Sequence, residues 1–462
     1  MTITRASEQL FRLARHTRNR EYRRYWAEDL PNRLKMPMDL EKLKRFHRGE
    51  PLNFESQLEH RATRMARYAF RNTPYYRQMF LSYGIVPETF LENISSLPTL
   101  DKAIIRREGT NLLAMPRSRQ DLTFCTTGGS TGEPLAFYMC GGCDPLHQKF
   151  LFEMMGYQPG DRILAMDGSL VPPEIRERGV YWIRKSAKQL PYGSFGLSSQ
   201  YITPENIDRY FAFIQEFKPH FIRGYPSFID MMSHYLLEND LHFDFHIKGV
   251  ELTSESHSDR QLESISAAFQ APTFDQYGHS EAAVFGYSLG RHTPIYCSPF
   301  NGYTEVLDDK GQHVHPGEVG EVVVTGFHNF AMPFLRYRTG DLAEYEGREG
   351  GVVRLAQVIG RTQDYVYTRQ MEKVLLTALI FGRHLRSFSR IRKWQLVQDI
   401  PGDVALHVIP DGAFGANEEE EIRAAFSDSG MSHVTFEYPS NLPSTPRGKS
   451  RLLVQNLGEG AV

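Results

Sequence analysis

Apolar positions first recur at helical spacing, from Gln57 to Phe70 and again from Tyr75 to Tyr83, with proline-marked turns between. Past these the period shortens. Leu122 to Cys125 is a short strand-like run ending in a glycine-rich loop. Leu135 to Met139, behind that loop, is again short, apolar and aromatic, which favours a strand. A helical stretch follows from Pro145 to Met155. Arg162 to Met166, Phe221 to Gly224, Gly249 to Leu252 and Thr273 to Gln276 read as buried strands, each close to a helix-patterned segment. Alternation of this kind predicts an α/β fold with a substantial sheet. From Gly302 the pattern turns β-like, through Tyr303 to Leu307, Gly320 to Thr325, Leu342 to Tyr345 and Val352 to Leu355, with turns such as Asp308 to Gly311 between runs. Residues 361–462 carry strand and helix signals of their own, including Glu418 to Ala425, whose acidic start suits a helix N-terminus. They suffice for a small second domain, and the expected division is 1–360 and 361–462.

A chain of 462 residues is too long for one ordinary core, which agrees with that division. Apolar residues make up 41% and charged residues 23%, the balance of a soluble globular protein. Fifty-three Lys plus Arg against 55 Asp plus Glu leave a net charge of -2, so no global field draws nucleic acid or an anionic membrane. The basic N-terminal stretch lacks the continuous apolar core of a signal peptide. No run approaches the roughly 18 apolar residues of a membrane-spanning helix. Four cysteines make no disulfide framework in a chain of this length. These features predict a soluble, cytoplasmic enzyme without nucleic-acid or membrane partners.

The loop Thr126-Thr127-Gly128-Gly129-Ser130-Thr131-Gly132-Glu133-Pro134 has the residue types a phosphate cradle needs. Glycines let backbone N–H groups approach phosphate oxygens, and hydroxyls add donors. The common nucleotidase P-loop is excluded, because it needs Lys and Ser or Thr after its last glycine, where this chain has Glu133-Pro134. Gly128 to Gly132 also satisfies the Gly-x-Ser-x-Gly spacing of a hydrolase nucleophile elbow. That motif requires a helix after the turn, whereas Pro134 and the apolar run behind it predict another strand. Taken alone, the loop is either a phosphate cradle or a surface hairpin. Cys140-Gly141-Gly142-Cys143 has redox or zinc spacing, but there is no second such pair, and Cys297 with His292 is the other nearby combination. Small residues at a helix start explain it as well.

Further blocks change the picture. The string TTGGSTGEP, then YGHSE (Tyr277 to Glu281), YRTGD (Tyr337 to Asp341), Gly360-Arg361 and PSTPRGKSR (Pro443 to Arg451) occur in an order that resembles the adenylate-forming superfamily of acyl-CoA synthetases and adenylation domains. The flanks RNTPYYRQMF, SSLPTLDKAIIRR and NFAMPFLRYRTGDLAEY resemble the phenylacetate-CoA ligase branch and its capsule-biosynthesis-like relatives. Together the blocks span residues 57–451.

The resemblance implies a large N-terminal domain with mixed sheets, holding ATP and a carboxylate, and a mobile α+β C-terminal domain joined by a hinge. It implies ATP and Mg2+ as cofactors, attack of a carboxylate on the α-phosphorus, and CoA as a second substrate. Thr127, Ser130, Thr131 and Gly132 would cradle the ATP phosphates. Ser254 and Glu255 would meet the adenine edge, and Tyr277 would stack on the ring. Asp341 and Arg361 would hold the ribose, Glu281 the magnesium ion, and Lys449 would stabilise charge during adenylation. His279, inside YGHSE, borders the carboxylate pocket or is a structural imidazole. The branch implies an aryl or arylacetic acid as the small-molecule carboxylic acid, and similar proteins include homodimers. The hinge departs from the pattern: Gln363 stands where the family has Asp or Lys, and Tyr367 to Lys373 lacks the family's glycine, so Gln370 or Met371 would narrow a thiol tunnel. The residues therefore carry adenylation further than transfer to CoA, and leave an amine acceptor or a non-catalytic nucleotide-binding scaffold as alternatives.

Overall fold

The computed structural model describes residues 20–114, 122–126, 135–140, 144–361, 364–380, 385–443 and 451–457. Helices α1 (Arg20–His47), α2 (Glu55–Asn72), α3 (Pro74–Ser82) and α4 (Lys102–Glu108) come first. α1 has no counterpart in the apolar pattern: in its described part it buries only Met36, Asp39, Leu40 and Leu43, too few apolar residues for a periodic signal. α3 starts where Pro74 fixes the first turn and the Thr73 hydroxyl accepts from the Tyr76 N–H at 3.3 Å.

The strands β1 (Thr123–Thr126) and β2 (Ala136–Met139) pair antiparallel, Thr123 opposite Met139 and Thr126 opposite Ala136. A strand therefore follows the glycine-rich loop, as expected, and the elbow context fails. The loop residues Thr127, Ser130, Thr131 and Gly132 lie outside the described residues, as do Cys143, Gln363 and Lys449.

After α5 (Asp144–Met154) comes a 12-stranded sheet in the order β11-β12-β13-β14-β10-β9-β8-β7-β6-β3-β5-β4. Its parallel half comprises β3 (Ile163–Asp167), β5 (Phe195–Ser198), β6 (Phe221–Gly224), β7 (Gly249–Thr253) and β8 (Thr273–Gly278), with β4 (Trp182–Arg184) antiparallel on the edge. The crossovers contain α6 (Ile207–Phe217), α7 (Pro226–Glu238) and α8 (Asp259–Phe269). Alternation on these strands explains their continuous apolar look. Leu164, Ile222, Val250 and Leu252 face α6 to α8, while Ile163, Phe221 and Phe274 face α1 and α5, so both faces are covered.

The antiparallel half comprises β9 (Phe285–Tyr287), β10 (Ile295–Cys297), β11 (Gly302–Leu307), β12 (Val319–Gly326), β13 (Tyr337–Glu349) and β14 (Val352–Arg361). The predicted runs Leu342 to Tyr345 and Val352 to Leu355 are parts of the longer strands β13 and β14, because polar residues between them continue the pairing. β15 (Tyr365–Tyr367) and β16 (Lys373–Leu375) form a small hairpin. A second, four-stranded sheet, β19-β18-β17-β20, is built from β17 (Ile391–Ile400), β18 (Asp403–Pro410), β19 (His433–Glu437) and β20 (Leu453–Gln455). With α9 (Ala416–Asp428) it encloses its own core of Leu396, Leu406, Val408, Ile422 and Phe426. The chain thus has a mixed α/β body and a smaller α+β region at its C-terminal end.

A buried ion pair pins the segment that enters β13. Arg336, 3% exposed, donates to both oxygens of Glu305 at 2.9 and 3.2 Å and to the Leu97 carbonyl, with its own backbone at φ +49°. Leu100 N–H donates to the Arg336 carbonyl and Arg338 N–H to the Leu100 carbonyl, so the SSLPTLDK segment lies along the start of YRTGD. Removing one partner strands a buried charge. Arg336→Met is expected to cost about 3–5 kcal/mol in denaturant unfolding, whereas the double change with Glu305→Leu recovers much of it. A single variant as stable as the parent would refute the pinning role.

Candidate active site

Three strands and one turn bring together Tyr277, Glu281, Asp341 and Arg361 of the expected site residues. On β13, Tyr337, Thr339 and Asp341 are two residues apart and share a face. Asp341 stands opposite Arg361 on β14, so the two residues expected at the ribose are cross-strand partners. Tyr277 on β8 donates its hydroxyl to Oδ2 of Asp341 at 2.9 Å. β8 and β13 are not neighbours in the sheet, and adjacent strands lie about 4.8 Å apart, so this contact requires the sheet to curl strongly. Burial pushes the Tyr277 phenol well up, and the Asp341 carboxylate adds to the rise, so the hydroxyl stays a donor. The Asp341 N–H in turn donates to the Thr339 hydroxyl at 3.0 Å.

Glu281 follows β8 in the turn and is 4% exposed. Tyr337 donates its hydroxyl to Oε1 at 2.6 Å, and Nδ1 of His279 stands 3.2 Å from Oε2. Burial pushes this carboxyl up, but the adjacent His279 imidazole and the Tyr337 hydroxyl outweigh it and hold the group at about 2. Both ring nitrogens of His279 are buried and neither makes a well-aligned hydrogen bond among the described residues, so Nδ1 meets Glu281 only as a close charge contact. Ala282, at φ +52°, completes the turn that presents these groups. Buried Tyr76 of α3 fixes the loop that leads into β13: its hydroxyl donates to the Pro333 carbonyl at 3.0 Å and accepts from the Leu335 N–H at 3.0 Å.

Ser254 is exposed directly after β7, with its backbone at φ +73°. Left-handed backbone at a serine is strained and recurs at binding turns. Glu255 is occupied structurally: its Oε2 accepts from the Ser227 N–H at 3.0 Å, in the first turn of α7. Its side chain therefore also caps a helix, beside the Ser254 turn. Among the described residues no group of His, Cys, Asp and Glu forms a multidentate metal site. Cys140 and Cys297 are both buried, and burial pushes the Cys297 thiol up to about 12. A lone buried carboxylate kept ionised still suits Mg2+, which takes one or two protein carboxylates and completes its shell with phosphate oxygens and water.

The composition of YGHSE and YRTGD suggested the nucleotide residues, but not that Tyr277 would bridge to Asp341 or Tyr337 to Glu281. Both contacts depend on sheet curvature, for which the local sequence has no signal. Missed altogether were half-buried Arg223 on β6 and buried Glu251 on β7, charges inside runs that read as apolar strands.

The fold is that of acyl-CoA ligases built from a large α/β body and a small C-terminal region. No protein-family model matches the chain. Over 405 residues it is 26% identical to protein CapK of Staphylococcus aureus, covering 84% of this chain and 86% of that one. Over 347 residues it is 27% identical to a phenylacetate-coenzyme A ligase of Thermus thermophilus, covering 69% and 74%. A solved 2-hydroxyisobutyryl-CoA ligase, in its postadenylation state with R3-HIB-AMP, superposes with a TM-score of 0.65 at 20% identity, over 86% of this chain and 88% of that one. At 20% identity the solved ligase shows that the chain shares its fold, and the two sequence relatives are similar to it over most of its length. Among the described residues no helix is long and apolar enough to cross a membrane.

Proposed function

We propose that this chain is an ATP-dependent, AMP-forming ligase that activates a carboxylic acid and then passes the acyl group to CoA. The carrying observation is the convergence of the Tyr277–Asp341 and Tyr337–Glu281 pairs on one face of the curled sheet. In the first step an acid oxygen forms a bond to the α-phosphorus of ATP, and the bond to the bridging oxygen breaks to release pyrophosphate. In the second, a thiolate forms a bond to the acyl carbon and AMP leaves. Such chemistry is driven by positioning and charge stabilisation.

Asp341 would accept both ribose hydroxyls, with Arg361 across the strand pair and Tyr277 against the base. Buried Nε2 of His279 offers a hydrogen bond beside these groups, where the acid carboxylate must approach. Thr127, Ser130, Thr131 and Gly132 would supply donors to the phosphates. Magnesium, when bound, would neutralise phosphate charge, and Glu281 is the residue that would hold it. The relatives named phenylacetate-coenzyme A ligase support an arylacetic acid. A cytoplasmic location and a homodimer fit the same reading.

The test is pyrophosphate release from ATP with a panel of aryl and alkyl acids, in the presence and absence of CoA and of amines. Acid-dependent release that CoA accelerates is expected. Tight ATP binding with no release for any acid would point to the scaffold, and release that CoA leaves unchanged while amines consume the adenylate would replace the acceptor. Lys449→Ala is expected to lower adenylation about 100-fold while leaving CoA transfer from a supplied acyl-adenylate intact. Adenylation at the parent rate would remove Lys449 from the first step.

A further inference from the structure

On the sheet face that packs against α5, the amino-terminal ends of the parallel strands are apolar, with Ile163, Phe221 and Phe274 in one core. At the carboxyl ends the same face turns polar. Alternation puts Asp167 of β3, Arg223 of β6, Glu251 and Thr253 of β7 and Gln276 of β8 on it. Burying so much polarity at the centre of a sheet is costly unless it is paired or used. In open α/β sheets, ligands bind beyond the carboxyl ends of the strands.

Part of the cost is met internally. Gln148 of α5 donates to Oε2 of Glu251 at 2.6 Å, and Thr253 donates to Oε1 of Gln276 at 2.7 Å. Arg223 is the exception. Its Nε and Nη2 lie 3.4 Å from the Glu251 oxygens, long for a charged pair, and its Nη1 makes no hydrogen bond among the described residues. The guanidinium is neutralised by Glu251 without being consumed by it. Tyr192, partly exposed, covers the guanidinium 5.2 Å from its ring centroid.

Exposure rises outward from this point. The Glu251 side chain is 0% exposed, Arg223 12%, Asp167 17% and Lys185 32%, so this polar face becomes more exposed from Glu251 outward to Lys185. Lys185 pairs with Asp167 at 2.7 Å at the rim. Gly196 makes room for that rim, since a Cβ there would stand 2.6 Å from Cδ of Lys185 and 2.4 Å from Oγ of Ser169. With two residues along a strand spanning about 6.6 Å and adjacent strands about 4.8 Å apart, the Arg223 backbone lies on the order of 12 Å from Gln276. Long side chains on both sides shorten that span to the length of a mid-sized acid.

Resting on the proposed adenylation, we infer that Arg223 reads the far end of the acid, and that the acid taken carries a hydrogen-bond-accepting oxygen there rather than a bare phenyl or alkyl terminus. Matched acids test this by pyrophosphate release: phenylacetate against 4-hydroxyphenylacetate and 4-carboxyphenylacetate, and hexanoate against adipate. The expected result is at least a tenfold higher kcat/KM for the oxygen-bearing member of a pair. In Arg223→Met that ratio should fall at least tenfold, with Arg223→Lys between. Arg223→Met combined with Glu251→Gln gives the same collapse without an unpaired buried carboxylate, should the single variant fold poorly.

Preference for the bare members, or a variant that slows both members equally and keeps the ratio, overturns the inference while the ligase reading stands. No release with any acid overturns both.

Discussion

Glu281→Gln is expected to lower adenylation about 1000-fold, close to 4 kcal/mol in the barrier. Glutamine keeps the size of the side chain and can still accept from the Tyr337 hydroxyl, so the fold of the turn should survive. What it removes is a negative charge that burial alone would have extinguished. His279 and Tyr337 hold the Glu281 carboxyl at about 2 against an ordinary 4.5, so it is ionised at every pH at which the enzyme would work. A hard divalent cation needs that charge, and raising Mg2+ should restore part of the lost rate. Pyrophosphate release at the parent rate would take the metal role away from this residue.

The same residue ties stability to pH. Its folded pKa lies below its unfolded value, so its contribution is complete above about pH 4.5 and is lost as pH falls toward 2. The full span corresponds to about 3 kcal/mol. Denaturant unfolding from pH 6 down to 3.5 should therefore show the parent's advantage over Glu281→Gln shrinking on acidification. An advantage that holds constant would mean the carboxylate is not held by its neighbours.

Asp341→Ala is expected to reduce kcat/KM for ATP several hundredfold, mostly through KM. Two ribose hydroxyls donating to one ionised carboxylate are each worth about 1.5–3 kcal/mol, and the combined loss is rarely the full sum. Alanine also leaves the Tyr277 hydroxyl without its 2.9 Å partner, loosening the ring that would meet the base. Comparison with 2′-deoxy-ATP separates the causes. The parent should lose about tenfold with the deoxy nucleotide, whereas Asp341→Ala should be almost indifferent to it. An Asp341→Ala enzyme as sensitive as the parent would place the ribose elsewhere.

Much of the site was legible because its residues come in short blocks whose chemistry is local. YRTGD puts Tyr337, Thr339 and Asp341 on one strand face by alternation alone, and a strand after the glycine-rich loop followed from Pro134 and the aromatic run behind it. Glu255 lies after β7 where the adenine edge is expected, and the structure adds that its carboxylate accepts from the Ser227 N–H at the start of α7. The long helix α1 left no signal, since its described part rests on few apolar contacts. The charges of Arg223 and Glu251 hid inside runs that are otherwise mostly apolar.

By itself, then, the sequence determined the order of most strands and helices after α1, the division into a large body and a small C-terminal region, and the residue types proposed to handle a nucleotide. These follow from periodicity and local composition, which act over a few residues. Only the tertiary structure decided which of those residues meet. The curl of the sheet carries Tyr277 to Asp341, the YGHSE turn folds Glu281 between Tyr337 and His279, and the parallel strands align Arg223 with Glu251. Apart from the local His279–Glu281 contact, each of these joins residues from separate elements, so its energy depends on packing that no local pattern encodes.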